Sequence, residues 1–228
     1  MEVKPLEIQL STELKELISD FKVGIIEYKN ITVGDSPQMV KGRLQLFQES
    51  IYFELENKNV TDLPGIQEWR KVFKMTGKDP NRYRPSAEAL MRRVQKQNYL
   101  PSVQSAIDIN NFFSLQYQVP IGIYDVDQLY NPVTIRIGQD GEEYSGLNGR
   151  MNSLHNLIIS SDQQGPFGSP SVDSERSPVT EKTKNALHII YLRPSTDMDS
   201  ARKLTESLMN MFTQIHGGES SFRILGCQ

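Results

Sequence analysis

Residues 105–137 read SAIDINNFFSLQYQVPIGIYDVDQLYNPVTIRI, and the spacing of the apolar positions changes partway along. From Ser105 to Leu115 the pattern is helical. Beyond Pro120 it breaks into short alternating segments bounded by turn residues, and Val133, Ile135 and Ile137 alternate strictly with Thr134 and Arg136. A period near 3.6 marks a helix with one buried face and a period of 2 marks a half-buried strand, so the chain passes here from helix to sheet. Asp108 to Leu115 is expected to pack on a sheet holding both Val133 to Ile137 and Leu187 to Leu192.

Toward the N-terminus the texture is helical. Ser11 can cap a helix carrying Leu14, Leu17, Ile18 and Phe21 at i, i+3, i+4 and i+7. A short strand over Val23 to Tyr28 follows. Ser36-Pro37 then supplies a cap and a first-turn proline for a helix that turns Val40, Leu44, Phe47 and Ile51 inward. A third helix starts near Leu63-Pro64, buries Ile66, Trp69, Val72 and Phe73, and stops at Gly77, a residue suited to the left-handed C′ position. Ser86 opens a fourth, with Leu90 and Val94 on its inner side, and Pro101 marks its end.

Toward the C-terminus, Asp140-Gly141 is a hairpin signal before Glu142 to Tyr144, and Leu157 to Ile159 and Leu187 to Leu192 read as strands. Ser160 to Pro178 holds six Ser, two Gly and three Pro in nineteen residues, a loop length that is usually functional or disordered. A helix over about 197–216 presents Leu204, Leu208, Met211, Phe212 and Ile215 on one face and ends at Gly217-Gly218, with Met209 and Met211 read as core filling. No internal repeat and no linker divides the chain, so residues 1–228 are read as a single α+β domain, sheets flanked by helices, with a helical N-terminal extension over 1–60.

Composition narrows the function classes. The 228 residues are 37% apolar and 23% charged, and no apolar run approaches the roughly 18 residues of a membrane span. Met1 to Leu10 lacks the apolar core of a secretory signal, so a cytoplasmic protein is expected. The single cysteine, Cys227, excludes an intrachain disulfide and a cysteine zinc site, and His155, His188 and His216 stand without metal-ligand spacing. No metal and no cofactor is expected.

The net charge of −3 does not suggest a general nucleic-acid binder, but charge is unevenly spread. Between Glu68 and Lys96, nine Lys and Arg oppose three acids, a local balance of +6. Arg82-Tyr83-Arg84, with Arg92 and Arg93 further on, combines guanidinium groups with an aromatic ring, a pairing suited to holding phosphate and stacking on a base. A solvated basic face is the alternative. Asp108 and Asn111 lie at i and i+3 of a helix, where Asn111 could orient a ligand amine or carbonyl, or the pair could cap neighbouring backbone.

Ile107-Asp108-Ile109-Asn110-Asn111, Pro120-Ile121-Gly122-Ile123-Tyr124-Asp125, Ile135-Arg136 and Gly141-Glu142 together resemble the editing domain, B-three/four, of the phenylalanyl-tRNA synthetase β subunit. That family's pattern runs Val-Asp-x-Thr-Asn, Pro-x-His-x-x-Asp, x-Val-Arg and Glu-Gly-Glu. Ser177-Pro178-Val179-Thr180 with Thr183 resembles a further family segment, so the likeness covers roughly 68–192. The synthetase's flanking catalytic and anticodon-binding domains are absent, as in a free-standing relative. The resemblance implies an α+β fold whose pocket receives the aminoacylated 3′ end of a transfer RNA and hydrolyses mischarged tyrosine. Asn111 matches the site's asparagine and Asn110 replaces its threonine. Gly122 stands where that site has histidine, and His188 or Ile189 stands where it has a glutamate.

On this reading Asp108, Asn110, Asn111, Gly122, His188 and Ile189 border one pocket, made roomier by Gly122, with the Ser160 to Pro178 loop beside it. Asn111, Glu175 and His188 are the catalytic candidates, and Arg176 joins Glu175 as a group able to orient water or grip a terminal phosphate. Ester hydrolysis needs no protein nucleophile; a positioned water and donors for the developing oxyanion suffice. The expected activity is deacylation of mischarged aminoacyl-tRNA in trans, with transfer RNA as partner and Arg82, Tyr83, Arg84, Arg92 and Arg93 as its contacts. The alternatives are a non-catalytic RNA-binding module and a pocket for an amino-acid-like ligand. The sequence does not specify the oligomeric state.

Overall fold

The structure is a computed structural model and describes residues 6–226, so Cys227 lies outside the described residues. Its elements, in chain order, begin with β1 (Ile8–Leu10), α1 (Thr12–Leu17), β2 (Val23–Lys29), α2 (Gln38–Glu54), α3 (Pro64–Met75), α4 (Ser86–Gln95) and α5 (Ser105–Tyr117). There follow β3 (Ile121–Asp125), β4 (Val133–Ile137), β5 (Glu143–Ser145), β6 (Met151–Ser153), β7 (Ile158–Asp162) and β8 (Gly165–Gly168). The chain closes with β9 (Ala186–Tyr191), α6 (Met198–His216) and β10 (Glu219–Leu225).

β9 reads ALHIIY and is buried at every position. A strand without alternation suits a sheet covered on both faces, and β9 lies inside the antiparallel sheet β10-β2-β9-β3. On one face Ile26, Tyr28, Ile123 and Ile190 pack with helical residues such as Leu44, Ile109, Leu208 and Phe212. On the other, Val23, Ile25, Leu187, Ile189 and Tyr191 pack with Trp69 and Phe73 of α3 and with Val133, Ile135, Ile159 and Phe167 of a second sheet. That second sheet has the order β1-β4-β7-β8, with β1 parallel to β4. The result is one mixed α+β domain built around a central sheet.

The helix boundaries follow local chemistry. Ser11 Oγ accepts from Leu14 N at the start of α1, although α1 ends at Leu17, which is left exposed while Ile18 and Phe21 are buried beyond it. Pro64 occupies the first turn of α3, and Gly77 follows its C-cap at φ +89°. Asp197 caps α6 and Gly217 ends it.

Other expectations need correction. Val133 to Ile137 and Leu187 to Leu192 belong to different sheets, and α5 packs on β3 of the central one. The physical reason is burial: β4 is buried at alternate residues and suits an outer layer, whereas β9 is apolar on both sides. Asp140-Gly141 makes a turn, with Gly141 at φ +79°, but no hairpin, because both edges of β4 are already paired, by β1 and β7. β5 pairs instead with β6. Pro37, not Ser36, takes the N-cap position of α2, because Ser36 Oγ donates to the buried carboxylate of Asp108. The stretch from Ser160 to Pro178 is no structureless loop: it contains the end of β7 and all of β8, and Ser160, Ser169, Ser174 and Ser177 are buried within it.

Candidate functional site

β3 is an edge of the central sheet, and the segment after β8 closes that edge: Asp125 N donates to Ser177 O at 3.0 Å, and Tyr124 bridges to Pro178. Between this segment, β3, α5 and the start of α4 lies a cavity of about 190 Å³. α5 presents Ile107, Asn110, Asn111 and Ser114 to it, the i, i+3, i+4, i+7 face of one helix. Ile121 and Ile123 of β3 and Val179 make the wall apolar. A volume below the several hundred Å³ of a drug-sized pocket suits an amino-acid-sized group rather than a whole nucleotide.

Its polar groups are few and only partly used. Asn110 Nδ2 donates to Ile121 O at 3.0 Å, which leaves its buried Oδ1 without a partner. The Asn111 amide makes no hydrogen bond among the described residues. Facing them from the 173–179 segment is Asp173, whose Oδ1 accepts from Tyr124 Oη at 2.7 Å and from Ser169 N at 3.2 Å. Burial pushes the Asp173 carboxyl up to about 6, against the pull of these two donors. Tyr124 is raised well above the usual phenol range by its own burial and then by the Asp173 charge. Sequence reading missed Asp173. It settled on Glu175 and Arg176 in the same segment, and no spacing rule separates the three.

The structure brings Asn110 and Asn111 together but sends the other candidates elsewhere. Asp108 is fully buried on the adjoining face of α5, where Oδ2 accepts from Ser36 and Ser102 hydroxyls and Oδ1 from Val103 N. It fastens the turn before the helix. Gly122 opens no room: a Cβ there would lie 2.0 Å from Tyr124 Oη, because the Tyr124 ring lies across Gly122 and Gly168. Ile189, the ladder partner of Gly122, packs in the cluster on the face away from the cavity. His188 is sealed among Tyr28 and Phe212, with Nδ1 3.0 Å from Tyr28 Oη and Nε2 without a partner. Burial, and secondarily His216, lower its imidazole to about 3. Glu175 is exposed, and Arg176 is taken up by Asp162 at 2.9 and 3.1 Å.

The basic window is divided in the same way. Glu88 is fully buried and draws in Arg70 at 3.0 Å, Arg92 at 2.9 Å and Arg84 at 4.0 Å. Arg82 and Arg93 remain exposed. The Arg84 carbonyl accepts from Ser171 Oγ and Ser86 N donates to Pro170 O, which ties the 82–86 segment to the chain leading into Asp173. Cations therefore stand near the cavity, though fewer than the charge count implies. Among the described residues no group of three or more His, Cys, Asp or Glu could hold a metal ion.

The family model described as the B3/4 domain matches residues 68–211. The chain belongs to the B3/4 domain family. This B3/4 chain is 36% identical over 213 residues to "Uncharacterized protein YhzB" of Bacillus subtilis (strain 168), covering 93% of itself and 96% of that protein. It is 26% identical over 122 residues to the phenylalanine–tRNA ligase beta subunit of Fusobacterium nucleatum, covering 52% of itself and 15% of the subunit. With the same subunit of Haemophilus influenzae (strain 86-028NP) the figures are 22% over 197 residues, 75% and 25%. The B3/4 chain thus spans nearly all of one relative and a quarter or less of these two ligase subunits. Among solved structures, an N-terminal fragment of the phenylalanyl-tRNA synthetase β subunit from Pyrococcus horikoshii matches with TM-score 0.48 and 14% identity, over 96% of this chain and 51% of that one. Among the described residues no helix is long and apolar enough to cross a membrane.

Proposed function

We propose that this B3/4 chain binds the aminoacylated 3′ end of a transfer RNA and hydrolyses a mischarged ester in trans, as part of translation quality control in the cytoplasm. The observation that carries the reading is the cavity in which the free Asn111 amide and the Asp173 carboxylate project from two walls of an apolar pocket. The amino-acid side chain sits against Ile107, Ile121, Ile123 and Val179, which favours an apolar one. Asp173 Oδ2, the carboxylate oxygen left free by Tyr124 and Ser169, holds the attacking water in the cavity. As that water attacks the ester carbonyl, Asp173 takes its proton and the Asn111 N–H groups donate to the developing oxyanion. Collapse expels the ribose oxygen, which receives the proton, and frees the amino acid and the transfer RNA. Exposed Arg82 and Arg93, with Arg84 and Arg92 partly drawn to Glu88 and Tyr83 beside Arg82, supply the contacts to RNA.

The test is a deacylation assay over a panel of correctly and incorrectly charged transfer RNAs, with Asn111→Ala alongside. Loss of one oxyanion donor is expected to slow hydrolysis about 100-fold or more. The second reading is a binding module without hydrolysis, favoured by the Tyr124 ring lying where the related site holds an imidazole. Binding of aminoacyl-tRNA with no deacylation of any panel member would establish it over the first.

A further inference from the structure

A second cavity, of about 350 Å³, adjoins the 169–173 segment: Ser169, Ser171 and Val172 line it, while the next residue, Asp173, lines the first. Its floor is apolar, from Leu154 and Leu157, and Arg82, Tyr83 and Ser153 stand at its wall. Beside them is Lys78, which is 6% exposed. Its ammonium lies 4.0 Å from the Tyr83 ring centroid and 3.5 Å from Ser153 O, and the Arg82 guanidinium lies 5.4 Å from the same ring.

Neither cation has a carboxylate partner among the described residues. The partly buried arginines, by contrast, are paired: Arg70 and Arg92 with Glu88, Arg136 with Glu142 and Arg176 with Asp162. The buried Lys22 is held by two carbonyls at 2.7 and 3.0 Å. A largely buried ammonium whose contacts are a ring face and one long hydrogen bond, next to a second positive charge, gains from an anion that joins it. Burial and the Arg82 charge both work to lower the Lys78 ammonium. With Lys78 and Arg82 both over its ring, Tyr83 serves to place the cations rather than to stack on a base.

We propose that Arg82, at the wall of this second cavity, and Lys78, behind Tyr83 and Ser153, form a phosphate subsite, and that it takes a backbone phosphate of the RNA whose aminoacyl end enters the first. The assignment to RNA rests on the function proposed above; the phosphate chemistry does not. The two cavities are lined by neighbouring residues of one segment, Ser169 to Val172 at the second and Asp173 at the first, as a ligand with an ester and a backbone phosphate on the same terminal nucleotide requires. The apolar floor and the Tyr144 ring leave space for the adjoining sugar.

The test compares wild type with Lys78→Gln, Arg82→Gln and Lys78→Arg, all checked for folding by circular dichroism. The probes are inorganic phosphate, adenosine 5′-monophosphate and an RNA hairpin ending in CCA. Each Gln variant is expected to weaken hairpin binding about tenfold and to flatten the slope of log affinity against log salt by about 0.7 per lost phosphate, with Lys78→Arg retaining both. Unchanged affinity and slope in the folded Gln variants overturn the subsite. Binding of inorganic phosphate that the hairpin cannot displace overturns the RNA assignment and leaves a free phosphate as ligand. Deacylation measured in parallel separates this proposal from the reading beneath it. A hydrolysing wild type whose KM is unmoved by Lys78→Gln sinks the subsite alone. A wild type that hydrolyses nothing, yet loses phosphate binding on Lys78→Gln, sinks the hydrolase alone.

Discussion

Changing Asp173 to Asn should stabilise the protein at neutral pH and cripple it as a hydrolase. The folded-state carboxyl is raised from 3.8 to about 6, so the folded chain holds this proton more tightly than the unfolded one. The stability this confers is complete below about pH 4 and disappears as pH rises through 6, where the carboxyl ionises against its partial desolvation. A shift of roughly two units at about 1.4 kcal/mol each sets an upper bound near 3 kcal/mol, and because the side chain is only half-buried about 1 to 2 kcal/mol is the expected size. Asn keeps an oxygen for Tyr124 Oη and Ser169 N but carries no charge at any pH. Urea denaturation at pH 7.5 should therefore show Asp173→Asn more stable than wild type by about 1 kcal/mol, with the gain gone at pH 4. Deacylation by wild type should rise between pH 5 and 7 with a midpoint near 6, and the variant should lose about 100-fold or more at every pH. Full hydrolysis by Asp173→Asn, or a wild-type rate flat across that range, would refute the role given to this carboxylate.

Three further outcomes follow from buried groups. Gly122→Ala forces a Cβ to within 2.0 Å of Tyr124 Oη, so chemical denaturation should show a loss of about 2 to 3 kcal/mol, and an unchanged midpoint would mean the Tyr124 ring moves freely. Glu88→Gln strands Arg70 while the more exposed Arg84 and Arg92 rehydrate, for an expected loss of about 3 kcal/mol by the same measurement; a loss under about 0.5 would show that the arginines pair elsewhere. His188 resists protonation in the folded state down to about 3, so the stability it lends is full above its ordinary 6.5 and falls as pH drops below that. Wild type should lose about 2 kcal/mol between pH 7 and 5 relative to His188→Gln, and parallel pH curves for the two proteins would count against a neutral buried imidazole.

The division of labour between sequence and tertiary structure is visible at particular residues. Features set by short stretches of chain were legible in the amino-acid order: Pro64 opening α3, Gly77 beyond its end, Gly217 closing α6, the apolar run of β9, and the spaced motifs from Asp108 to Glu142 that mark the B3/4 family. These rest on capping, helix period and strand period, which are local. The short strands β1, β6 and β8 were not legible, because three or four residues carry no period of their own and become strands only through their partners.

Which polar groups are tied down and which face the cavity was settled by the packing of distant segments. Asp108 and Asn111 are three residues apart, yet one is tied down by Ser36 and Ser102 and the other faces the cavity, because the chain brings 36 and 102 to a single side of α5. Glu88 gathers arginines from 18 residues before it and 4 after, which draws part of an apparent basic patch into an ion cluster around one buried carboxylate. Asp173 reaches its partner Tyr124 across 49 residues, at a sheet edge that exists only once β3 has paired with β9. Charge and burial act through space rather than along the chain, so the groups that matter to the site were settled by long-range packing.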